Sequence, residues 1–139
     1  MRSISIKAVL IGTVFGLFLD LLTGVALTFT LGHSALSSET TSADAGAVLE
    51  SIARQPAFLV WSLVLGALTT VIAGYLAARI ARRLPYMNAA ATGVVGLVLG
   101  ALLADGSLPL WFNVPAFALL LPCALLGGHL AKRRQQAGA

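Results

Sequence analysis

Asp20 is the residue best placed to do chemistry in this chain. It stands near the middle of an apolar run over about 8–31 and is the only ionisable side chain within it. A carboxyl at that depth of a bilayer costs roughly 3 kcal/mol or more, so it faces protein or water rather than lipid. Gly12, Gly16, Asp20 and Gly24 recur every four residues, which puts them on one helix face and points Asp20 into a bundle. Three roles are open to it. It can hydrogen-bond across the bundle, with Thr70, Ser62, Thr92 or Asn113 as partners. It can carry protons or a cation along a pathway. It can anchor a helix of another protein.

The remaining polar residues offer less. Pro115 and Pro122 lie two turns apart in the last apolar run. Each removes a backbone donor and kinks a helix, leaving the carbonyls of Trp111 and Ala118 for neighbours, water or a cation. His33 and His129 fall near opposite ends of their runs and cannot share a metal. No Cys, His and carboxylate set has ligand spacing, and no phosphate-cradling glycine loop occurs. A Ser/His/Asp set would need residues from opposite membrane faces. No catalytic residue, metal site or cofactor is expected, and the chain does not read as an enzyme. Cys123 is the single cysteine. It excludes an internal disulfide and reads as a small core residue.

Four apolar runs have to position these side chains. They occupy about 8–31, 57–80, 89–104 and 109–131. Hydrophobic residues make up 58% of the 139 and charged residues 10%, against about 25% charged in soluble domains. A helix crosses ~30 Å of hydrocarbon with ~20 apolar residues, so four spans use up the chain as one domain. The first run follows a basic start, as in a signal peptide, but its length of about 24 residues and its Asp20 predict retention.

Eight of the nine Lys and Arg residues lie in Met1–Lys7, Arg79–Arg83 and Lys132–Arg134. Arg79, Arg82, Arg83, Lys132, Arg133 and Arg134 thus close the second and fourth spans. Four of the five acids lie in the alternate connections. The positive-inside bias then predicts a bacterial inner-membrane protein in two hairpins with both termini in the cytoplasm. The net charge of +4 is accounted for by these clusters, which suit anionic lipid headgroups and not nucleic acid.

The long outer connection, 33–56, is polar and then acidic. Thr41-Ser42-Ala43-Asp44 fits a capping box, and Val48, Leu49 and Ile52 share one side of a short helix over 43–54 that could lie in the interface plane. Pro56 suits a first helical turn. Asn88 opens the third span, the shortest. Asp105-Gly106-Ser107 reads as a tight turn, Trp61, Phe58, Trp111 and Phe112 as outer-interface aromatics, and 135–139 as a frayed tail.

Small residues also stripe the other spans: Ser62, Gly66, Thr70, Gly74 and Ala78 in the second, Ala89, Gly93, Gly96, Gly100 and Ala104 around the third. In lipid, helices associate by close backbone approach, dispersion and hydrogen bonds, so four-residue small spacing marks contact faces. Together with Gly128, these positions are expected to pack helices, within one four-helix bundle or between chains. Gly74-Tyr75-Leu76-Ala77-Ala78-Arg79 and Gly128-His129-Leu130-Ala131-Lys132-Arg133 close the second and fourth spans alike, as either a parallel repeat or convergence on small residues.

The segment Ala73–Pro85, echoed at Gly127–Arg133, resembles a loose set of uncharacterised bacterial four-span proteins in which a Gly-Gly-Tyr-x-Ala-Ala-Arg type segment ends the second span. Ala73 stands where the first glycine is usual. The resemblance implies the four-span layout and no known activity. The segment is also similar to a cytoplasmic loop of major-facilitator transporters, but Ala78 and Ala81 replace the acid and glycine that loop needs.

The sequence therefore describes an all-α polytopic membrane protein. The preferred role is structural or accessory, with self-association or docking on a larger membrane complex through glycine-rich faces. The alternative is a small oligomeric channel or proton-coupled transporter that uses Asp20.

Overall fold

The computed structural model describes residues 4–36, 42–81, 84–104 and 108–137. Its elements are all helices: α1 (Ile6–Leu36), α2 (Ser42–Ala53), α3 (Pro56–Ala81), α4 (Pro85–Leu103) and α5 (Leu110–Ala137). Four of them, α1, α3, α4 and α5, are long and apolar enough to cross a membrane, and no strand occurs among the described residues. Their outer surfaces are hydrocarbon: Leu21 is 68% exposed, Leu103 77% and Leu110 79%. So much contiguous apolar surface is unfavourable in water but suits lipid, where only the backbone must be satisfied internally. The chain is an integral membrane protein of the multi-pass type.

Helix ends follow local chemistry. Pro56 begins α3, where its missing N–H costs nothing. The third span starts at Pro85, four residues before the expected 89, because a proline can open a helix that Asn88 then supports from inside. Asn88 does not cap it. Its side chain donates to the Leu84 carbonyl at 3.0 Å and accepts the Ser5 N–H at 2.9 Å, fully buried. Leu84 adopts left-handed φ 50° and ψ 56°, a region costly for a residue with a Cβ; the proline after it disfavours the right-handed helical region but by itself favours extended backbone.

The fourth span runs unbroken through Pro115 and Pro122 to Ala137, six residues beyond the expected 131. Its last turns are held from α3, where Gln135 donates to the Ala78 carbonyl at 3.4 Å. Residues 135–137 are thus helix and not a frayed tail. In α2 the expected apolar side divides: Ile52 is buried at 1% exposure while Leu49 stays exposed. Arg54 pairs with Glu50 at 2.7 Å. The Thr41 capping box, Arg82, Arg83 and the turn at 105–107 involve positions outside the described residues.

The helices meet through small residues. A Cβ added at Gly12 would lie 2.8 Å from Ala77 Cβ, and one at Gly16 would lie 2.9 Å from Ala73 Cβ. Numbers rise along α1 as they fall along α3, so these helices run antiparallel. On α4 and α5, Gly128 meets Ala89, Gly93 meets Ala124 and Gly100 meets Phe117, again antiparallel.

The two pairs join where α3 crosses α5. A Cβ on Gly74 would overlap the Ala124 carbonyl oxygen and come within 2.9 Å of Ala124 Cα. One on Gly127 would overlap the Val71 carbonyl oxygen and come within 2.5 Å of the Tyr75 nitrogen. Backbone rests on backbone, which only glycine permits at both positions. The contact is nearly symmetric, each glycine facing the carbonyl three residues before the other. This pairs Gly74 with Gly127, one residue off the alignment with Gly128 that the sequence echo suggests. Close by, Ala78, Ala89 and Ala131 are essentially fully buried, with Tyr75 packed against them.

Candidate functional site

Away from that crossing the helices part. A cavity of about 480 Å³ lies between α1, α3, α4 and α5, in the region where α1 and α5 make no contact. It reaches from Thr13 and Thr92 near the crossing to Leu108, Phe112 and Asn113 at the far end. The walls are chiefly Leu, Ala, Gly and Phe. Asp20 is the only ionisable residue lining it among the described residues.

The zipper of α1 on α3 sets the carboxyl. Gly12 pairs with Ala77 and Gly16 with Ala73; one further step of four brings Asp20 opposite Thr69. The Thr69 hydroxyl lies in hydrogen-bonding contact with Asp20 Oδ1. Among the described residues Asp20 makes no ion pair. It stays open to the cavity, whereas Thr69 is buried at 3% exposure.

Thr69 has a second partner. Its Oγ1 lies 3.0 Å from the Gly66 carbonyl. A hydroxyl carries one proton and two lone pairs, so it cannot donate to both oxygens at once. With Asp20 ionised, Thr69 donates to the carboxylate. With Asp20 neutral, the acid donates to Thr69 and Thr69 donates to Gly66. Both protonation states of Asp20 are therefore satisfied without moving a helix.

Three of the four partners expected from sequence are engaged elsewhere. Thr70 donates to the Gly66 carbonyl at 2.7 Å, Thr92 to the Asn88 carbonyl at 3.0 Å, and Asn113 to the Leu108 carbonyl at 3.0 Å. Each thus bonds to main chain close by in sequence. Ser62 lines the cavity. Thr69 went unnoticed because the visible stripe on α3 ran through Gly66 and Thr70. The strip that faces α1 is Thr69, Ala73 and Ala77, and its signal was the alanine pair at the same four-residue step.

Thr13 is the other polar group of interest. It lines the cavity, is 9% exposed, and its hydroxyl has no hydrogen-bond partner among the described residues. Helical threonines usually bond the carbonyl one turn back, as Thr28 and Thr30 do on the same helix. A buried hydroxyl without a partner carries a cost; this one is closed off from the cavity space itself.

Three glycines of the stripes also belong here. A Cβ on Gly24 or Gly66 would meet nothing within 4 Å, and one on Gly96 only Leu120 Cδ2 at 3.9 Å. All three line the cavity. Neither Pro115 nor Pro122 does; α5 contributes Asn113, Ala116, Phe117 and Leu120 among others.

The other end of the bundle is basic and aromatic. The Arg79 and Arg134 guanidinium carbons lie 5.9 and 6.0 Å from the Tyr75 ring centre, and Lys132 Nζ lies 5.1 Å from that of Tyr86. The Tyr86 hydroxyl and His129 Nδ1 are 2.8 Å apart. Arg133 stays exposed. His129 is thus occupied at the end remote from the cavity. Cys123 is buried in α5. No group of three or more His, Cys, Asp or Glu residues that could hold a metal occurs among the described residues.

No protein-family model, curated protein or solved structure matches this chain.

Proposed function

We propose that this is a non-enzymatic, multi-pass protein of a bacterial inner membrane that takes a small solute into its intramembrane cavity, in exchange with a proton on Asp20. The observation that carries this reading is the setting of Asp20: among the described residues the sole ionisable group of a sizeable apolar cavity, on a hydroxyl that accommodates either of its protonation states. Intramembrane carboxyls commonly mark proton and ion pathways. The basic residues gather at the end where α3 finishes and α4 begins, which supports two hairpins with both termini in the cytoplasm and the cavity in the outer half. The resemblance to small four-span proteins of bacteria agrees with this setting.

The accessory reading, docking through glycine-rich faces, has less surface to use. Gly12, Gly16, Gly74, Gly93 and Gly128 already press on residues of the same chain, while Gly24, Gly66 and Gly96 border the cavity.

Reconstituted vesicles separate the two. The wild-type protein should collapse an imposed pH gradient when a small-molecule cell extract is enclosed as the exchange partner, and Asp20→Asn should return the rate to that of protein-free vesicles with helicity and melting preserved. Equal rates in both proteins, or an altered melting point and assembly with no flux in either, would favour the accessory role.

A further inference from the structure

Resting on that reading of the cavity, we propose that its solute is a hydrophobic organic monocation: a protonated or quaternary amine, or a compound of like charge and shape, whose charged centre meets Asp20 and whose apolar body fills the space between the helices.

Size and lining select this class. A volume of about 480 Å³ falls within the roughly 300–1,000 Å³ of pockets that hold small organic molecules. A dissolved metal ion or alkali cation needs several converging oxygens, and the wall presents one carboxyl with scattered hydroxyls. An anion finds no Lys, Arg or His in the lining among the described residues. A sugar would leave most of its hydroxyls against Leu99, Leu103, Leu120 and Phe117, where unpaired polar groups are costly. A neutral hydrocarbon would leave the Asp20 carboxyl against apolar surface, where a polar group without a partner is costly. A cation with an apolar body satisfies both halves of the lining, its charge against the exposed Asp20 carboxyl and its body against the apolar wall.

Exchange with a proton follows from charge. The cation binds the carboxylate; the neutral acid has nothing to offer it. One proton leaves Asp20 for bulk water as one cation enters, and the lining stays at constant net charge. Among the described residues no other titratable side chain lines the site: the polar lining comprises Thr13 and Thr23 on α1, Ser62 and Thr70 on α3, Thr92 on α4 and Asn113 on α5, with Thr69 behind Asp20.

The test is equilibrium dialysis of the purified full chain in detergent micelles against tetraphenylphosphonium, with tetraphenylborate as the same shape with opposite charge. The phosphonium should bind saturably at one per chain, and the borate should not. Asp20→Asn should weaken phosphonium binding at least about tenfold, and Asp20→Glu should retain it. In the acid range, affinity should fall about tenfold per pH unit, as one competing proton requires. Gly66→Leu, which fills the cavity without touching charge, should abolish binding while the bundle still melts normally; together with Asp20→Glu it decides the matter if Asp20→Asn fails to fold.

Absence of phosphonium binding to the wild type overturns the ligand class, even where collapse of the pH gradient still depends on Asp20 and the transport reading stands. Equal binding to wild type and Asp20→Asn, or equal binding of the borate, also overturns it, since the cavity then takes any apolar body, such as a lipid acyl chain. Phosphonium binding that depends on Asp20 without any flux supports the cation site and removes the transport reading alone.

Discussion

The two ends of this bundle use the same residue type to opposite effect. At the basic end Gly74 and Gly127 let α3 and α5 touch backbone to backbone, and any Cβ there would meet main chain. In the cavity half Gly24, Gly66 and Gly96 keep the same four-residue spacing yet border open space. Small residues at regular intervals thus permit contact without compelling it. What decides is the partner: alanines and carbonyls wait at one end, a carboxyl and hydroxyls at the other. In lipid there is no water-driven collapse to close the second gap.

The sharpest break of this comparison is a pair of identical changes. Gly127→Ala should cost about 3 kcal/mol, as overpacking against an unyielding neighbour does. Gly66→Ala should instead stabilise by about 0.5 kcal/mol, since the added methyl meets nothing and alanine is the better helix former. Unfolding midpoints in mixed micelles report both, and similar signs for the two would dissolve the distinction. Next comes Gly16→Leu, at the lower edge of the cavity, where the first added carbon already lies 2.9 Å from Ala73 Cβ; a loss of about 2 kcal/mol is expected. Thr69→Val should cost about 1 kcal/mol, in the range of interhelical hydrogen bonds in membranes. It should also alter gradient collapse, since the carboxyl loses the hydroxyl that serves both its states; unchanged flux would reduce Thr69 to a structural tie. The smallest effect belongs to neither end. Glu50→Gln on α2 removes an exposed i,i+4 pair and should shift stability by about 0.3 kcal/mol.

The four spans were legible because hydropathy and helix length act on each segment alone. The stripes were legible for the same reason: a four-residue period defines a face on one helix. What that period leaves open is which helix the face meets. Gly127 and Gly128 show why. Adjacent residues point about 100° apart around a helix, so one glycine faces α3 and the next faces α4, where Gly128 meets Ala89. The sequence drew notice to Gly128, the echo of Gly74, and passed over Gly127, which forms the crossing. The cavity was equally hidden, because its lining comes from four helices and no single run encodes how they are arranged. Asp20 stood out for its charge, while its partner Thr69 needed the register of α1 on α3.

The α3–α5 crossing has a mechanical consequence. Main chain jammed against main chain resists sliding far more than turning, so the easiest relative motion of the two helix pairs is rotation about that point. From Gly74 to Ser62 is roughly 18 Å along α3 at the helical rise. Over that lever arm ~5° of swing displaces Ser62, which lines the cavity, by about 1.5 Å.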